Sequence, residues 1–319
     1  YWKANPLLYA NEKENPYTHP SDKPYIWTQG KQVGGRSLTW GGITLRLSND
    51  DLKASRKDGY GPDWPIEYSE IAPHYSALEK LLRVHGNRDG LAQLPDGEFI
   101  NPLPFTKSEE LLQKSIKLSL GHPFIHSRGF GPHQPKNKND WPLYSSPGST
   151  LQRAIKTGKV EVLSEHMAEL ITIKEGHEFA EGVVVVNQRN GSRTELNASL
   201  IILCASTIQS LRLLLNSERD QHQNGFIDPS GKLGSNLMDH ISICRFFALP
   251  KDKAKSASQS SYLKKQTLSG AGSFFIPFGT RFRDNPKVNF LRGYGIWGGI
   301  DRFEPPNWLK QIPECNTGF

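Results

Sequence analysis

The sequence predicts a mixed α/β protein with an α+β portion towards its C-terminal end, and three observations carry that expectation. Between residues 160 and 205, short β-rich segments alternate with turn residues. The last of them, Leu200-Ile201-Ile202-Leu203-Cys204-Ala205, is a continuous apolar run of the kind buried on both faces of a parallel sheet, and it passes through small residues into a leucine-rich helical stretch, Leu211 to Leu215. Beyond residue 240, Ser242 to Leu249, Gly272 to Phe278 and Val288 to Tyr294 read as strands with long connections, which suits an antiparallel sheet. A chain of 319 residues with 36% hydrophobic and 10% aromatic content buries a substantial core and ordinarily makes two domains.

Taken in order, residues 1 to 24 are rich in Pro, Asn, Tyr and Lys without a steady period and read as an irregular lead-in. Tyr25 to Val33 and Thr44 to Leu47 read as short extended segments on either side of a glycine-rich stretch. Ser48-Asn49-Asp50-Asp51 has the side chains of a helix N-cap. After the turn at Asp63-Trp64-Pro65-Ile66, apolar residues at Ile71, Tyr75, Leu78, Leu81 and Leu82 predict an amphipathic helix over 68–84. A second helix is expected over 108–120, capped by Ser108, with Leu111, Leu112, Ile116 and Leu120 on one side. Residues 129 to 147, crowded with Pro, Asn, Lys and Gly, read as a loop. Thr150 to Thr157 is a short helix, and strands follow at Val160–Leu163, Glu169–Ile173, Gly182–Val186 and the apolar run at 200–205.

Composition excludes several function classes. The net charge of +7 is spread among 32 acids, and the densest basic stretch, Lys251 to Lys265, is serine-rich and reads as a solvated loop, which argues against nucleic acid. No run of about 18 apolar residues exists to span a membrane, and the opening residues, with Lys3 and Glu12 among prolines, do not read as a signal peptide. Cys204, Cys244 and Cys315 form no CxxC pattern, which favours a reducing compartment and a soluble, cytoplasmic protein. Asn190-Gly191-Ser192 and Asn197-Ala198-Ser199 fit the glycosylation pattern but carry no weight without a secretion signal. His122 and His126 have the spacing of a helical metal pair, with His133 nearby. Pro123 interrupts the helix and no acid sits between the histidines, so no metal site is expected.

The stretch that organises the chain is Gly30-Lys31-Gln32-Val33-Gly34-Gly35-Arg36-Ser37-Leu38-Thr39-Trp40-Gly41-Gly42. Two glycine pairs so close together suit a backbone pressed against a large flat ligand, although composition alone equally allows a glycine-rich surface loop. Val-Gly-Gly-x-Ser-x-x-Trp-Gly-Gly, followed by Arg46, resembles the first signature of the glucose-methanol-choline (GMC) flavoprotein oxidoreductases, in which this loop lies along the flavin. Cys204-Ala205-Ser206-Thr207-Ile208-Gln209-Ser210-Leu211-Arg212-Leu213-Leu214-Leu215-Asn216-Ser217 is similar to the second signature, with Leu211 for the usual proline and Glu218 for the usual glycine. Gly231-Lys232-Leu233-Gly234-Ser235-Asn236-Leu237-Met238-Asp239-His240 resembles the segment leading from the flavin domain to the substrate domain. His240 taken alone reads as a hydrogen-bonded structural histidine.

The resemblance implies a partial FAD-binding Rossmann-like domain and an antiparallel-sheet substrate domain. The expected division is 1–62 for the flavin loop, 63–148 for a helical and loop insertion, 149–240 for the second part of the FAD-binding domain and 241–319 for part of the substrate domain. It also implies FAD contacts at Gly34, Gly35, Ser37, Thr39, Trp40, Gly41, Gly42, Ala205, Ser206 and Asn236. Ala168, in a turn between two strands, matches a position whose backbone touches the adenine. Some relatives bond the flavin covalently to a histidine just before the Trp, where this chain has Thr39, so a dissociable FAD is expected.

The literal GxGxxG at Gly293-Tyr294-Gly295-Ile296-Trp297-Gly298 is not the dinucleotide fingerprint, because Gly299 and Pro305-Pro306 follow it and will not carry the required helix. The family's own GxGxxG, and its catalytic histidine with a second His or Asn, have no counterpart in these residues, and no histidine follows His240. The expectation is an internal piece of a longer protein, inactive by itself, from an FAD-dependent oxidoreductase acting on the CH–OH group of a sugar, polyol or other alcohol. The alternative is a non-catalytic module that keeps the flavoprotein shape and needs a partner or further segments.

Overall fold

The computed structural model describes residues 6–131, 140–173, 179–221, 228, 230–235, 237–245, 249–250, 273–279, 292–300, 302 and 315–316. In chain order the elements are α1 (Asn49–Leu52), α2 (Ala54–Asp58), α3 (Tyr68–Leu82), α4 (Lys107–Leu120), β1 (Ile125–His126), α5 (Thr150–Lys156), β2 (His166–Ile173), β3 (Ala180–Asn187), β4 (Arg193–Asn197), α6 (Thr207–Gln221), β5 (Leu249–Pro250), β6 (Phe274–Gly279), β7 (Gly293–Gly298) and β8 (Cys315–Asn316). They fall into two units, Tyr1–Lys159 with Arg245–Phe319, and Val160–Cys244. Every pair formed by these strands is antiparallel, so the described architecture is a mixture of helices and antiparallel sheets. No described helix is long and apolar enough to cross a membrane.

In the first unit the caps decide where the helices begin. Ser48 and Asp51 form a reciprocal capping box at α1, as their side chains predict. At α4 the cap is Thr106 and not Ser108: Thr106 Oγ1 accepts from the Glu109 N–H while the Glu109 carboxylate accepts from the Thr106 N–H. The helix starts earlier than the leucine pattern suggests because Glu109, three residues after Thr106, completes the box. Glu109 also pairs with Arg302, both buried, through Nε and Nη2 at 2.7 Å each. In the same unit Phe124, Phe274 and Ile276 form an apolar core, joined by Phe105, Leu112, Ile116, Phe278 and Ile300.

The sheet order there is β1-β6-β7. Gly293 to Gly298 is the whole of β7, so the literal GxGxxG is itself a strand, where the fingerprint would be the turn between a strand and a helix. A Cβ at Gly298 would come within 2.5 Å of the Phe274 ring, so a glycine in this motif makes room for a cross-strand aromatic rather than for a pyrophosphate. Tyr25–Val33 and Thr44–Leu47 form no strand. Instead Ile43 bridges Gly129, and Gly129 bridges His85, which anchors the end of the glycine stretch by isolated contacts.

In the second unit β2, β3 and β4 form a meander, and α6 packs on β2. Buried Ser217 of α6 makes the joint: its Oγ accepts from the Ile171 N–H at 2.8 Å and donates to the Leu213 carbonyl at 2.6 Å. β4 has no apolar alternation, which is why periodicity missed it; all five of its residues are exposed. Two expected strands are not formed. Val160–Leu163 is exposed and irregular, leading into a turn where Glu165 has φ 60°. Leu200–Ala205 pairs with no described strand, and Leu200 and Ile202 are each 74% exposed instead of buried on both faces. Its apolar character specifies pairing only where a neighbouring strand offers ladder groups, and none does so among the described residues.

The expected strand at 242–249 reduces to β5 at its end, with 242–245 irregular and 246–248 outside the described residues. Gly272, residues 288–291, the basic stretch 251–265 and His133 also lie outside them.

Candidate functional site

The glycine stretch belongs to the first unit. Gly34, at φ 99°, turns the chain into a 3-10 turn over Gly35–Leu38. The four glycines at its two ends divide by what surrounds them. A Cβ at Gly34 would lie 2.7 Å from Pro147 Cγ, and one at Gly42, at φ 70°, would lie 3.4 Å from Phe130. Gly35 and Gly41 would meet nothing within 4 Å, although Gly35 is held at φ 49°. Gly41 alone has neither a left-handed backbone nor a neighbour to demand glycine. Its exposed main chain presents a bare surface, and its N–H and that of Trp40 bond no described residue.

That surface is bordered by an aromatic group. Trp40 lies 5.4 Å from Phe130 and 6.5 Å from Tyr144 between ring centroids, and Phe130 stacks on Tyr144 at 5.1 Å. The sequence does not mark Phe130 and Tyr144 as neighbours of Trp40, since they lie 90 and 104 residues further along the chain and no local pattern singles them out. Ser37 is turned inward: its Oγ donates to the Gly34 carbonyl at 2.5 Å and accepts from the Ser146 N–H at 3.0 Å, which ties the stretch to the 142–149 turn. The Thr39 N–H closes the 3-10 turn on the Arg36 carbonyl at 3.0 Å.

Beyond the glycines, Arg46 is buried and fully engaged. It donates from Nε and Nη2 to Glu79, from Nη1 to Tyr68 Oη and from Nη2 to Ser76 Oγ, and lies over the Tyr75 ring. The Glu79 carboxylate holds its pKa above the ordinary arginine value, so it is a permanent charge that fastens the segment after Gly42 to α3.

The remaining candidates belong to the second unit. Ala168 is not in a turn: it sits inside β2, paired with Val185, beside a register shift between Ala168 and Leu170. β2 begins earlier than its apolar residues suggest because β3 offers a ladder partner as far as His166–Asn187. Ala205 and Ser206 precede α6, and both are exposed. Ser206 adopts φ 73°, a left-handed conformation uncommon outside glycine. Gly234, at φ 80°, packs on Leu211 of α6, and Asn236 lies outside the described residues. His240 is not a structural histidine: its side chain is fully exposed, with Asp239 3.5 Å away.

His122 and His126 are held by aromatic contacts, His122 against Phe278 and His126 stacked on Phe105 at 3.7 Å. No group of three or more His, Cys, Asp or Glu able to hold a metal occurs among the described residues.

Comparison with known proteins bears on what this surface serves. The chain is 26% identical over 258 residues to 2-methyl-1,2-propanediol dehydrogenase of Mycolicibacterium austroafricanum, covering 75% of this chain and 45% of that protein. It is 23% identical over 268 residues to the fructose dehydrogenase large subunit of Gluconobacter japonicus, with 80% and 46% covered. With glucose dehydrogenase [FAD, quinone] of Drosophila melanogaster it shares 27% identity over 291 residues, 84% of this chain and 45% of the relative. The chain thus spans about half the length of the curated relatives it matches. The sequence model of the GMC oxidoreductases matches residues 17–242, most of the chain and all of the glycine stretch, and on that match this protein belongs to the GMC oxidoreductase family.

Proposed function

We propose that this chain supplies flavin-facing surface to an FAD-dependent oxidoreductase whose donor is the CH–OH group of a sugar, polyol or other alcohol. The oxidation is proposed for the whole protein, and for this chain the cofactor contacts. The observation that carries the reading is Gly41, where neither backbone angle nor packing requires glycine and where a Cβ would only cover exposed main chain. Family membership and relatives named as alcohol and sugar dehydrogenases support the same chemistry.

FAD supplies the hydride acceptor that no side chain provides. Gly35 and Gly41 would let main chain approach the flat ring, and Trp40, backed by Phe130 and Tyr144, would give the edge of the surface an apolar wall that excludes water. Ala205 and Ser206 would place the first-turn N–H groups of α6 towards a phosphate, where the positive end of a 15-residue helix favours an anion. Thr39 offers no nucleophilic ring nitrogen beside Trp40, so the flavin is held without a covalent bond there. The Rossmann-like arrangement and the division at 62, 148 and 240 belong to this reading.

A second reading, a partner-binding module with a flavoprotein shape, draws on the exposed apolar residues Leu200, Ile202, Met238 and Ile241. Titrating the purified chain with FAD separates the two. Saturable quenching of flavin fluorescence that weakens at least tenfold in Gly41→Leu supports the cofactor role, and equal binding by Gly41→Leu overturns it.

A further inference from the structure

We infer that Arg128 is a positioning residue for the cofactor-facing surface: from a fully buried place it clamps residues 128–130, and these in turn set where Gly42 and Trp40 stand. The inference rests on the flavin reading for what that surface binds, and goes beyond it in naming what holds the surface in place.

The clamp begins in the loop after α3. Nη1 of Arg128 donates to the Leu94 and Pro95 carbonyls at 2.9 and 2.7 Å, and Nη2 donates to Asp89 Oδ2 and Asp96 Oδ1 at 3.1 and 3.0 Å. The guanidinium also lies 5.0 Å from the centre of the Phe99 ring. Asp96 accepts as well from the Asp89 and Gly90 N–H groups, so a carboxylate that grips the arginine also closes its own loop. The stem passes beside Gly86, where a Cβ would come within 3.1 Å of Arg128 Cγ and of the Phe99 ring, so glycine there leaves the space that the arginine fills. A buried ion pair gains little stability over apolar side chains of the same volume, whereas a planar fork held by four acceptors has one orientation. What the arginine supplies is therefore geometry.

The backbone passes that geometry on. The Arg128 carbonyl accepts from the Thr44 N–H at 2.7 Å, and the Phe130 N–H donates to the Gly42 carbonyl at 3.1 Å. Gly129, between them, exchanges both of its backbone bonds with His85, at 3.0 and 2.7 Å. Residues 42–44 are thus registered against 128–130, and the same segment brings the Phe130 ring against Gly42 and 5.4 Å from Trp40. At its other end the glycine stretch is tied by Ser37 to Ser146. Trp40 and Gly41 lie between these anchors with N–H groups that bond no described residue, so their placement follows the anchors.

The test is FAD titration of the full chain, its native fold checked by circular dichroism, with amide and indole resonances recorded without flavin. Arg128→Lys keeps the charge and loses the fork. It should weaken FAD binding at least fivefold and move the Trp40 indole and the Gly42 and Thr44 amide resonances. Asp89→Asn keeps an acceptor and drops a charge; it should weaken binding at least twofold, and it decides the matter if Arg128→Lys does not fold. Thr106→Ala removes a helix cap in the same unit that bonds to neither of the paired segments. It should lower stability and leave both readouts at wild-type values, which separates positioning from a general loss of stability. Wild-type FAD binding or unmoved resonances in the deciding variant, or equal weakening in Thr106→Ala, overturns the inference and leaves the flavin reading standing. A wild-type chain that takes up no FAD overturns the flavin reading, and this inference with it.

Discussion

At the residue scale, the fold demands glycine at Gly34, Gly35 and Gly42, through a left-handed backbone at all three and close neighbours at Gly34 and Gly42, and leaves Gly41 alone open. Gly34→Ala forces a side chain into a φ of 99° and against Pro147, and should cost about 1–3 kcal/mol in urea unfolding. A Cβ at Gly41 meets nothing within 4 Å, so Gly41→Leu should change stability by less than about 0.5 kcal/mol while weakening FAD binding at least tenfold. Opposite signatures at two glycines in one motif separate architecture from ligand contact. Ser206, at φ 73°, makes the reverse case: Ser206→Gly relieves left-handed strain and should stabilise by up to about 1 kcal/mol in thermal unfolding. That the glycines mattered was legible from their pairing. Which of them the local packing explains was not, because Pro147 and Phe130 reach them from distant parts of the chain.

At the element scale, α4 is held at its first turn by one carboxylate with four described hydrogen bonds. Glu109 accepts from Thr106 N, Ile300 N and the Arg302 Nε and Nη2 atoms. Glu109→Gln leaves the buried Arg302 charge uncompensated and should cost about 3–5 kcal/mol in urea unfolding. β1 carries a pH dependence of its own. Burial first, and then the Arg302 charge, lower the His126 pKa from its ordinary 6.5 to about 4. The unfolded chain therefore takes up the proton at higher pH than the folded one. The stability tied to His126 is whole above pH 6.5 and is lost as pH falls towards 4. With partial exposure discounted, the loss should be on the order of 1–2 kcal/mol. Urea midpoints measured from pH 7 to pH 4 should show it, and His126→Phe should flatten the profile. Helix α3 and the body of α4 were legible because apolar spacing marks a helix's inward side, here the half-buried Ile71, Tyr75, Leu81, Leu82, Leu112 and Ile116, while Leu78, Leu111 and Leu120 are left exposed. Thr106 and Arg302 were not, since a cap and its ion-pair partner are chosen by where the chain returns.

At the scale of the whole molecule, the exposed apolar run at 200–205 is the largest departure from expectation. With no strand alongside among the described residues, Leu200→Thr combined with Ile202→Thr should cost under about 0.5 kcal/mol and reduce self-association in light scattering. A large loss of stability would show instead that these side chains are covered. By itself the sequence determined the family, through three ordered motifs, and the sites of its longer helices, because periodicity and glycine placement are local properties of the chain. Tertiary structure decided the rest. It made the literal GxGxxG a strand that clears space for Phe274, turned Ser37 inward onto Ser146, and left Gly41 bare beside Trp40. Each of those outcomes depends on which distant side chain or strand arrives next to a residue, and a contact between remote segments leaves no mark on the spacing of either one.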